Sequence, residues 1–237
     1  MSKILVLAES GFGKSTSLGK IPGLNIEGLD PSKTLIISCS DKDLPFPGWA
    51  VNYQKISAKN PNGNFLETNN PGTIIKTLNH FLTNRKGIEN FVIDDFNFIM
   101  QDYYADNAKA KGYGTFQNIG YDIGQIFKEL SKLHKADKNV IVLAHEEAYE
   151  VNGEWKFKMK TVGNMVDQYL TPVAKFNVVL MGNEIFDDTT QQIQKRFVTG
   201  YDGKVRGKAP YGMFEDMYIP NDMGYVLEKV EEYKTKV

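Results

Sequence analysis

The feature that most constrains the fold is a glycine-containing segment directly after an apolar run near the amino terminus. The run Ile4–Leu7 is followed at once by AESGFGKST, residues 8–16. This order predicts a buried strand, a tight loop and a helix from about residue 14 to residue 20. It matches the Walker A pattern G-x-x-x-x-G-K-[ST], except that Ala8 stands where the first glycine is expected.

Residues 8–16, called the glycine loop below, predict binding of phosphate groups. Backbone N–H groups must point inward at phosphate oxygens, which requires the conformational freedom that Gly11 and Gly13 provide. Lys14 would reach the β- and γ-phosphates, and the Ser15 hydroxyl would coordinate Mg²⁺. The start of the predicted helix would add partial positive charge. We expect the nucleotide to contact Ser10, Gly11, Phe12, Gly13, Lys14, Ser15 and Thr16.

A second buried run ends in a pair of acidic residues. Residues 91–93 are apolar, and Asp94 and Asp95 follow them. This is the Walker B arrangement, in which the first carboxylate holds the water shell of the magnesium ion, so we expect Asp94 to do so. Asp95 would orient or deprotonate water, or else cap the next helix. Asp41 and Asp43 are alternative candidates for polarising the attacking water, or for binding Mg²⁺ through water.

Two more side chains are candidates for the chemistry. His145 follows the apolar run 139–144. In RecA-type folds a γ-phosphate sensor ends the strand beside Walker B, and an imidazole can form that hydrogen bond; a surface histidine is the alternative. Arg206, one of three arginines, lies in the cationic loop 204–210. It could reach the γ-phosphate of a neighbouring subunit, contact a nucleic-acid backbone, or be exposed without a role.

The remaining pattern predicts one α/β domain over residues 1–237, with a mostly parallel central sheet flanked by helices. Antiparallel hairpins would extend the sheet at 149–159, around Asn152-Gly153, and at 176–199. Residues 24–33 and 60–70 are expected to be connecting loops. Further strands are expected at 34–38 and 49–56, and helices at 71–85, 96–108, 116–135, 162–174 and 222–236.

Composition limits the partners. The net charge is −1 and the pI is about 6.3, so contact with nucleic acid would need a local patch. The lysines at 156, 158 and 160 could form one, or be an ordinary solvated face. The single cysteine excludes an intramolecular disulfide. No apolar run approaches the length of a membrane span, so a soluble, cytoplasmic protein is expected.

Eight stretches of the chain carry a resemblance: 91–96, 99–100, 112–113, 116–120, 143–147, 160–167, 209–214 and the helix after Asn221-Asp222. In this order they resemble a family of phage-encoded, AAA-labelled ATPases with a RecA-like core. The resemblance covers nearly the whole chain, and its departures are Ala8 and Ala144, where a glycine and a threonine are usual.

The resemblance implies ATP binding by the glycine loop, Mg²⁺ held by Ser15 and Asp94, and sensing by His145. Some relatives act in recombination, annealing or replication with single-stranded DNA and a single-strand-binding protein, and a homo-oligomer is expected. Two other functions remain open: a small-molecule kinase, which the scarcity of arginine disfavours, and a nucleotide-dependent assembly protein without a DNA role.

Overall fold

The computed structural model describes residues 2–107, 114–162, 171–188, 191–203 and 205–236. Within these residues nine strands form one sheet. Their bounds are β1 Lys3–Ala8, β2 Thr34–Ser38, β3 Phe65–Glu67, β4 Asn90–Asp94, β5 Asn139–Val151, β6 Glu154–Met159, β7 Val178–Asp187, β8 Gln192–Val198 and β9 Tyr218–Pro220.

Six strands run parallel, in the order β3-β2-β4-β5-β1-β7. The antiparallel strands β8 and β9 extend this sheet beyond β7, and β6 pairs with the outer part of β5. The fold is therefore α/β with a largely parallel central sheet, as expected. β5 lies between β1 and β4, so the strand that precedes the glycine loop does not pair with the strand that precedes the acidic pair.

Helices cover both faces of the sheet. They are α1 Trp49–Asn52, α2 Pro71–Asn84, α3 Asn97–Asn107, α4 Gly114–Lys135 and α5 Met223–Thr235, with short 3-10 helices at Ser15–Leu18, Pro22–Leu24, Pro31–Lys33 and Pro172–Lys175. Among the described residues, no helix combines the length and the apolar character that crossing a bilayer requires.

Alternation along the buried strands divides the core into two layers. In β1, Leu5 and Leu7 pack in the layer that contains α2, α3 and α4, whereas Ile4 and Val6 pack in the layer that contains α5. Side chains of a strand point alternately to opposite faces, so a strand that is covered on both faces must be apolar throughout. This requirement explains the continuous apolar runs that the sequence shows.

The two expected hairpins are present. Asn152 and Gly153 connect β5 to β6 with positive φ angles of 54° and 82°, the conformation that a type I′ turn requires. β7 and β8 pair antiparallel from Met181↔Val198 to Asp187↔Gln192. Because β5 and β7 both pair with β1 and continue past its end, the two hairpins project on either side of the glycine loop.

The prediction of a helix from about residue 14 to residue 20 was wrong. Only a four-residue 3-10 helix, Ser15–Leu18, follows the loop. A Cβ on Gly19 would lie 2.0 Å from the ring of Phe46, and one on Gly28 would lie 2.4 Å from the Gly19 backbone. Because Phe46 and Gly28 pack this closely against Gly19, the helix ends at Leu18 and the chain changes direction there. A helix this short supplies little of the expected macrodipole at the loop.

Two other expectations about local structure were wrong. The expected strand 49–56 contains instead the short helix α1, whose Trp49 ring packs on Phe65. The expected loop 60–70 contains β3, a strand that pairs with β2 and whose Phe65 also forms an isolated bridge with Lys55. Only three residues long, β3 is too short to show a periodic pattern in the sequence. Part of the expected helix 162–174 lies outside the described residues; Pro172–Lys175 is a 3-10 helix.

Asp222 ties the start of α5 to the segment that follows the glycine loop. Its buried carboxylate accepts hydrogen bonds from the backbone N–H groups of Glu27 (2.9 Å), Gly28 (2.9 Å) and Gly224 (2.8 Å). The Gly224 bond caps the helix, and the other two join segments almost 200 residues apart. This carboxylate therefore holds the start of α5 against residues 27–28 of the segment that follows the glycine loop.

We expect Asp222→Ala to lower the free energy of unfolding by about 2–4 kcal/mol, because it leaves three partly buried N–H groups without their hydrogen-bond acceptor. Urea denaturation measures this loss. The matched control is Asp30→Ala, which removes an exposed carboxylate that also caps a short helix through Ser32 and should cost about 1 kcal/mol. Equal losses for the two variants would contradict the role given to Asp222.

Candidate functional site

A cleft of about 270 Å³ opens where the parallel strands end. It brings together residues that are far apart in the sequence, as expected where the carboxyl ends of parallel strands meet. Its lining includes most of the predicted site residues and excludes the Phe12 side chain and Arg206. The lining residues are Ser10, Gly11, Gly13, Lys14, Ser15, Thr16, Ser40, Lys42, Asp43, Pro45, Asp94, Asp95 and His145.

The glycine loop is held from outside the cleft through its carbonyl oxygens. Lys195 of β8 donates to the Gly11 oxygen (2.6 Å), and the Asn221 side-chain amide donates to the Gly13 oxygen (3.0 Å). Gly11 and Gly13 have φ angles of 83° and 99°, which glycine adopts without steric cost. Lys195 and Asn221 were missed in the sequence because their contacts cross about 200 residues.

Ala8 fits the loop because the neighbouring strand has a glycine opposite to it. A Cβ on Gly182 would lie 2.4 Å from the Ala8 Cβ and 2.9 Å from the Phe12 ring. The Ala8 methyl group therefore fills space that any larger residue at 182 would need. Phe12 is buried and packs near Phe197, with ring centroids 6.0 Å apart, so its side chain anchors the loop rather than lining the cleft.

Lys14 lies at the centre of the loop with its ammonium group directed to its own backbone. Nζ donates to the carbonyl oxygens of Ala8 and Glu9, both at 2.9 Å, and lies 3.4 Å from His145 Nδ1. Burial lowers the pKa of Lys14, and the nearby carboxylates of Asp95 and Asp94 oppose that shift. The side chain is thus a buried cation that is held by two charge-assisted hydrogen bonds to backbone carbonyl oxygens.

Asp94 and Ser15, the two residues expected to hold a metal ion, lie next to each other at the cleft. The buried Asp94 carboxylate accepts a hydrogen bond from the Asp95 N–H at 2.9 Å and shares one with the Ser15 side chain. Burial and the neighbouring Asp95 carboxylate raise the pKa of Asp94 to about 6.

The donors fit Mg²⁺ in particular. Mg²⁺ takes one or two protein oxygen ligands and completes its octahedron with water and phosphate oxygens. The described residues contain no cluster of three or more His, Cys, Asp and Glu side chains that could hold a metal without such help. A carboxylate beside a hydroxyl at the mouth of the glycine loop is the donor set that a magnesium–phosphate complex needs.

Asp95 sits on a strained backbone. Its φ of 56° places it in the left-handed region, which non-glycine residues seldom adopt. Burial would raise the pKa of Asp95, but hydrogen bonds from His145 and Ser40 and the charge of Lys42 hold it below its usual range. The carboxylate therefore stays ionised beside the cleft. Such strain at a polar site is typical of residues that function there.

The polar side chains form a row across four strands. Lys14 follows β1, His145 lies on β5, Asp95 follows β4, and Lys42 follows β2, which is the order of these strands in the sheet. Lys14 Nζ lies 3.4 Å from His145 Nδ1, His145 Nε2 lies 3.5 Å from Asp95 Oδ1, and Asp95 Oδ2 lies 3.9 Å from Lys42 Nζ. Charged and hydrogen-bonding groups thus alternate along the edge of the cleft.

Asn97 is a positioning residue that sequence reasoning missed. Its buried side-chain oxygen accepts a hydrogen bond from the His145 N–H (2.5 Å), and its nitrogen donates to the Lys160 carbonyl. The Lys160 N–H in turn donates to the His145 carbonyl (2.9 Å). These bonds fix the backbone of His145. An asparagine two residues after an acidic pair was the available signal, but it resembles an ordinary helix start.

Some predicted side chains lie away from the cleft. Arg206 is exposed and stacks over Tyr201, 4.7 Å from the ring centroid; Lys204 lies outside the described residues. In the β5–β6 hairpin, Lys158 lies 3.7 Å from Glu147 and over the ring of Tyr149. The positive charge of the lysine face at 156, 158 and 160 is therefore partly neutralised at Lys158. Asp43 lines the cleft, whereas Asp41 does not.

No protein-family model and no curated protein matches the chain.

Asparagine tolerates the left-handed backbone better than alanine does. We therefore expect Asp95→Ala to be less stable than Asp95→Asn by about 1 kcal/mol in urea denaturation. Both changes remove the charge, but only asparagine keeps a hydrogen-bond acceptor for His145 and Ser40, so the backbone strain is the part of the difference that exceeds that of a matched pair at Asp94. Equal stability would contradict a strained Asp95. At Asp94, which lies in a strand, Asp94→Ala and Asp94→Asn provide the corresponding pair without a left-handed residue.

Glu146 adjoins the row and has an unusual environment. Its Oε2 atom is buried and has no hydrogen-bond partner among the described residues. Burial, together with the neighbouring Glu9 carboxylate, raises the pKa of Glu146 from 4.5 to about 7, against the opposing charge of Lys14. The folded protein therefore retains a proton that the unfolded chain releases between pH 4.5 and about pH 7.

Since the folded state binds more protons in this window, the contribution of Glu146 to stability falls as the pH rises through it. We expect the free energy of unfolding of Glu146→Gln, relative to that of the unaltered protein, to rise by about 1–2 kcal/mol between pH 4.5 and pH 7.5. This figure is already reduced for solvent screening, because the side chain is partly exposed. Chemical denaturation at several pH values measures the gain. Glu147→Gln, at the next and more exposed position, is the control, and parallel profiles for Glu146→Gln and the unaltered protein would contradict the shift.

Proposed function

We propose that the protein is a Mg²⁺-dependent ATPase. The observation that carries the proposal is the pairing of Asp94 with Ser15 beside the buried Lys14, in one cleft at the ends of parallel strands. Phosphoryl transfer needs positioning and electrostatic stabilisation more than covalent chemistry from the protein. A glycine loop, a cation, a hydroxyl and a carboxylate are the groups for that task.

Each residue has a role in this proposal. Glycine-loop N–H groups and Lys14 bind the phosphates, and Ser15 and Asp94 hold the magnesium ion, which neutralises phosphate charge when it is bound. Asp95, ionised and within 3.5 Å of His145, orients the attacking water and accepts its proton. His145 contacts both Lys14 and Asp95 and is therefore placed to report whether the terminal phosphate is present.

The same proposal includes a RecA-like core. Its support is the strand order, in which β5 with His145 lies beside β4 with the acidic pair, the position of a γ-phosphate sensor in RecA-type folds. We extend the proposal to a homo-oligomer of phage type, acting in the cytoplasm on single-stranded DNA with a single-strand-binding partner. In such an oligomer the exposed Arg206 would reach the site of a neighbouring subunit.

The first test is nucleotide binding and turnover by Lys14→Ala. Because this change removes a buried cation from the phosphate site, we expect phosphate release to fall by at least about 100-fold. A colorimetric phosphate assay with Mg·ATP measures the rate, and a chelator should abolish it. The control is Lys20→Ala, since Lys20 is an exposed lysine that pairs with Glu27. Turnover that survives Lys14→Ala would contradict the proposal.

The same assay separates the alternatives. Stimulation of phosphate release by single-stranded DNA would support the role in DNA metabolism. Stoichiometric transfer of phosphate to a nucleoside monophosphate would support a kinase instead. Turnover that is indifferent to both additions would favour a nucleotide-dependent assembly protein, and the oligomeric state with and without nucleotide would then be the relevant measurement.

A further inference from the structure

Lys42 is a cation of the cleft that the roles above do not use. It lines the cleft from the loop that follows β2, and three of the other lining side chains are acidic: Asp43, Asp94 and Asp95. Only Lys14 and Lys42 among the lining residues are lysine or arginine. A magnesium triphosphate adds further negative charge beside these carboxylates, so a second cation in the cleft has a large electrostatic effect on its binding.

Hydrogen bonds to the acidic pair hold the first residues of the loop that carries Lys42. The Cys39 N–H donates to the Asp94 carbonyl at 2.9 Å, and Ser40 forms a side-chain hydrogen bond with Asp95. The position of residue 42 is therefore set relative to the acidic pair. The loop places Lys42 at the end of the polar row opposite to Lys14, beyond Asp95.

The Lys42 side chain itself is weakly held. Its ammonium group lies 3.9 Å from Asp95 Oδ2 and 5.2 Å from the centroid of the Phe98 ring, and the side chain is 63% exposed. An ion pair of this length and exposure contributes little free energy. A phosphate oxygen, which is a strong acceptor with a higher charge, can therefore draw Lys42 away from Asp95 at low cost.

The three arginines do not supply this cation from within the same chain. Arg85 donates to the Asn62 carbonyl (3.0 Å), Arg196 donates to Gln194 (3.1 Å), and Arg206 stacks over Tyr201. None of them lines the cleft. The chain therefore offers a lysine where many phosphate sites use arginine.

We propose that Lys42 binds the terminal phosphate of a nucleoside triphosphate and makes the cleft selective for triphosphates over diphosphates. The inference rests on the proposed function and specifies which phosphate this residue recognises. Lys14, at the glycine loop, contacts the β-phosphate that both nucleotides share as well as the γ-phosphate, whereas Lys42 lies at the opposite end of the polar row, beside Asp95, and would contact the terminal phosphate alone. When Lys42 turns to that phosphate, it releases Asp95 to act on water.

Isothermal titration calorimetry with Mg·ADP and with the non-hydrolysable triphosphate Mg·AMPPNP tests this selectivity. We expect Lys42→Ala to weaken AMPPNP binding by about 10-fold or more, since it removes a charge-assisted hydrogen bond. ADP binding should change by less than about 2-fold, because ADP lacks the phosphate that Lys42 contacts. Lys42→Arg keeps the charge and should retain most of the selectivity.

The control is Lys33→Ala. Lys33 lies just before the other end of β2 and forms an exposed ion pair with Glu89, so its removal should leave both affinities unchanged. An unchanged ratio of the two affinities in Lys42→Ala, with Lys14→Ala still deficient in binding both nucleotides, would overturn the role of Lys42 and leave the proposed ATPase intact. Failure of the unaltered protein to bind either nucleotide would overturn both.

Discussion

The arrangement of this molecule depends on two adjacent carboxylates that are placed where a fully buried strand ends. Asp94 and Asp95 are both largely withdrawn from water. Because they are neighbours in the chain and carry like charges, each disfavours the ionisation of the other. Their environments separate them: burial raises the pKa of Asp94, whereas hydrogen bonds and Lys42 keep Asp95 ionised. The cations, hydroxyls and imidazole of the cleft are arranged around this concentration of negative charge.

The order of the strands brings the other polar residues of the cleft next to these two carboxylates. With β5 between β1 and β4, His145 lies between Lys14 and Asp95 rather than beside either one alone. A histidine in that position contacts Lys14 through one ring nitrogen and Asp95 through the other. Asn97 fixes its backbone, because the Asn97 side-chain oxygen accepts a hydrogen bond from the His145 N–H.

The glycine loop depends equally on residues outside it. Ala8 requires a glycine at 182, the Gly13 carbonyl is bound by Asn221, and the Gly11 carbonyl is bound by Lys195. These contacts come from β7, from the start of α5 and from β8. Because the helix after the loop is only one short turn, the loop is held mainly by tertiary contacts and much less by a helix start. Distant parts of the chain therefore decide its shape.

The sequence by itself determined the α/β class, the buried strands, the long helices, both hairpins and most, but not all, of the residues that meet in the cleft. These follow from local signals: continuous apolar runs, helical periodicity, turn residues and the two spaced motifs. It did not determine the short helix after the loop, the edge strand β3 or the contacts of Asn97, Lys42, Asn221 and Lys195. Those features arise from packing between segments that lie far apart along the chain, such as Phe46 over Gly19. Only the tertiary structure brings such segments together, because the free energy that selects their positions comes from contacts that no local stretch of sequence contains.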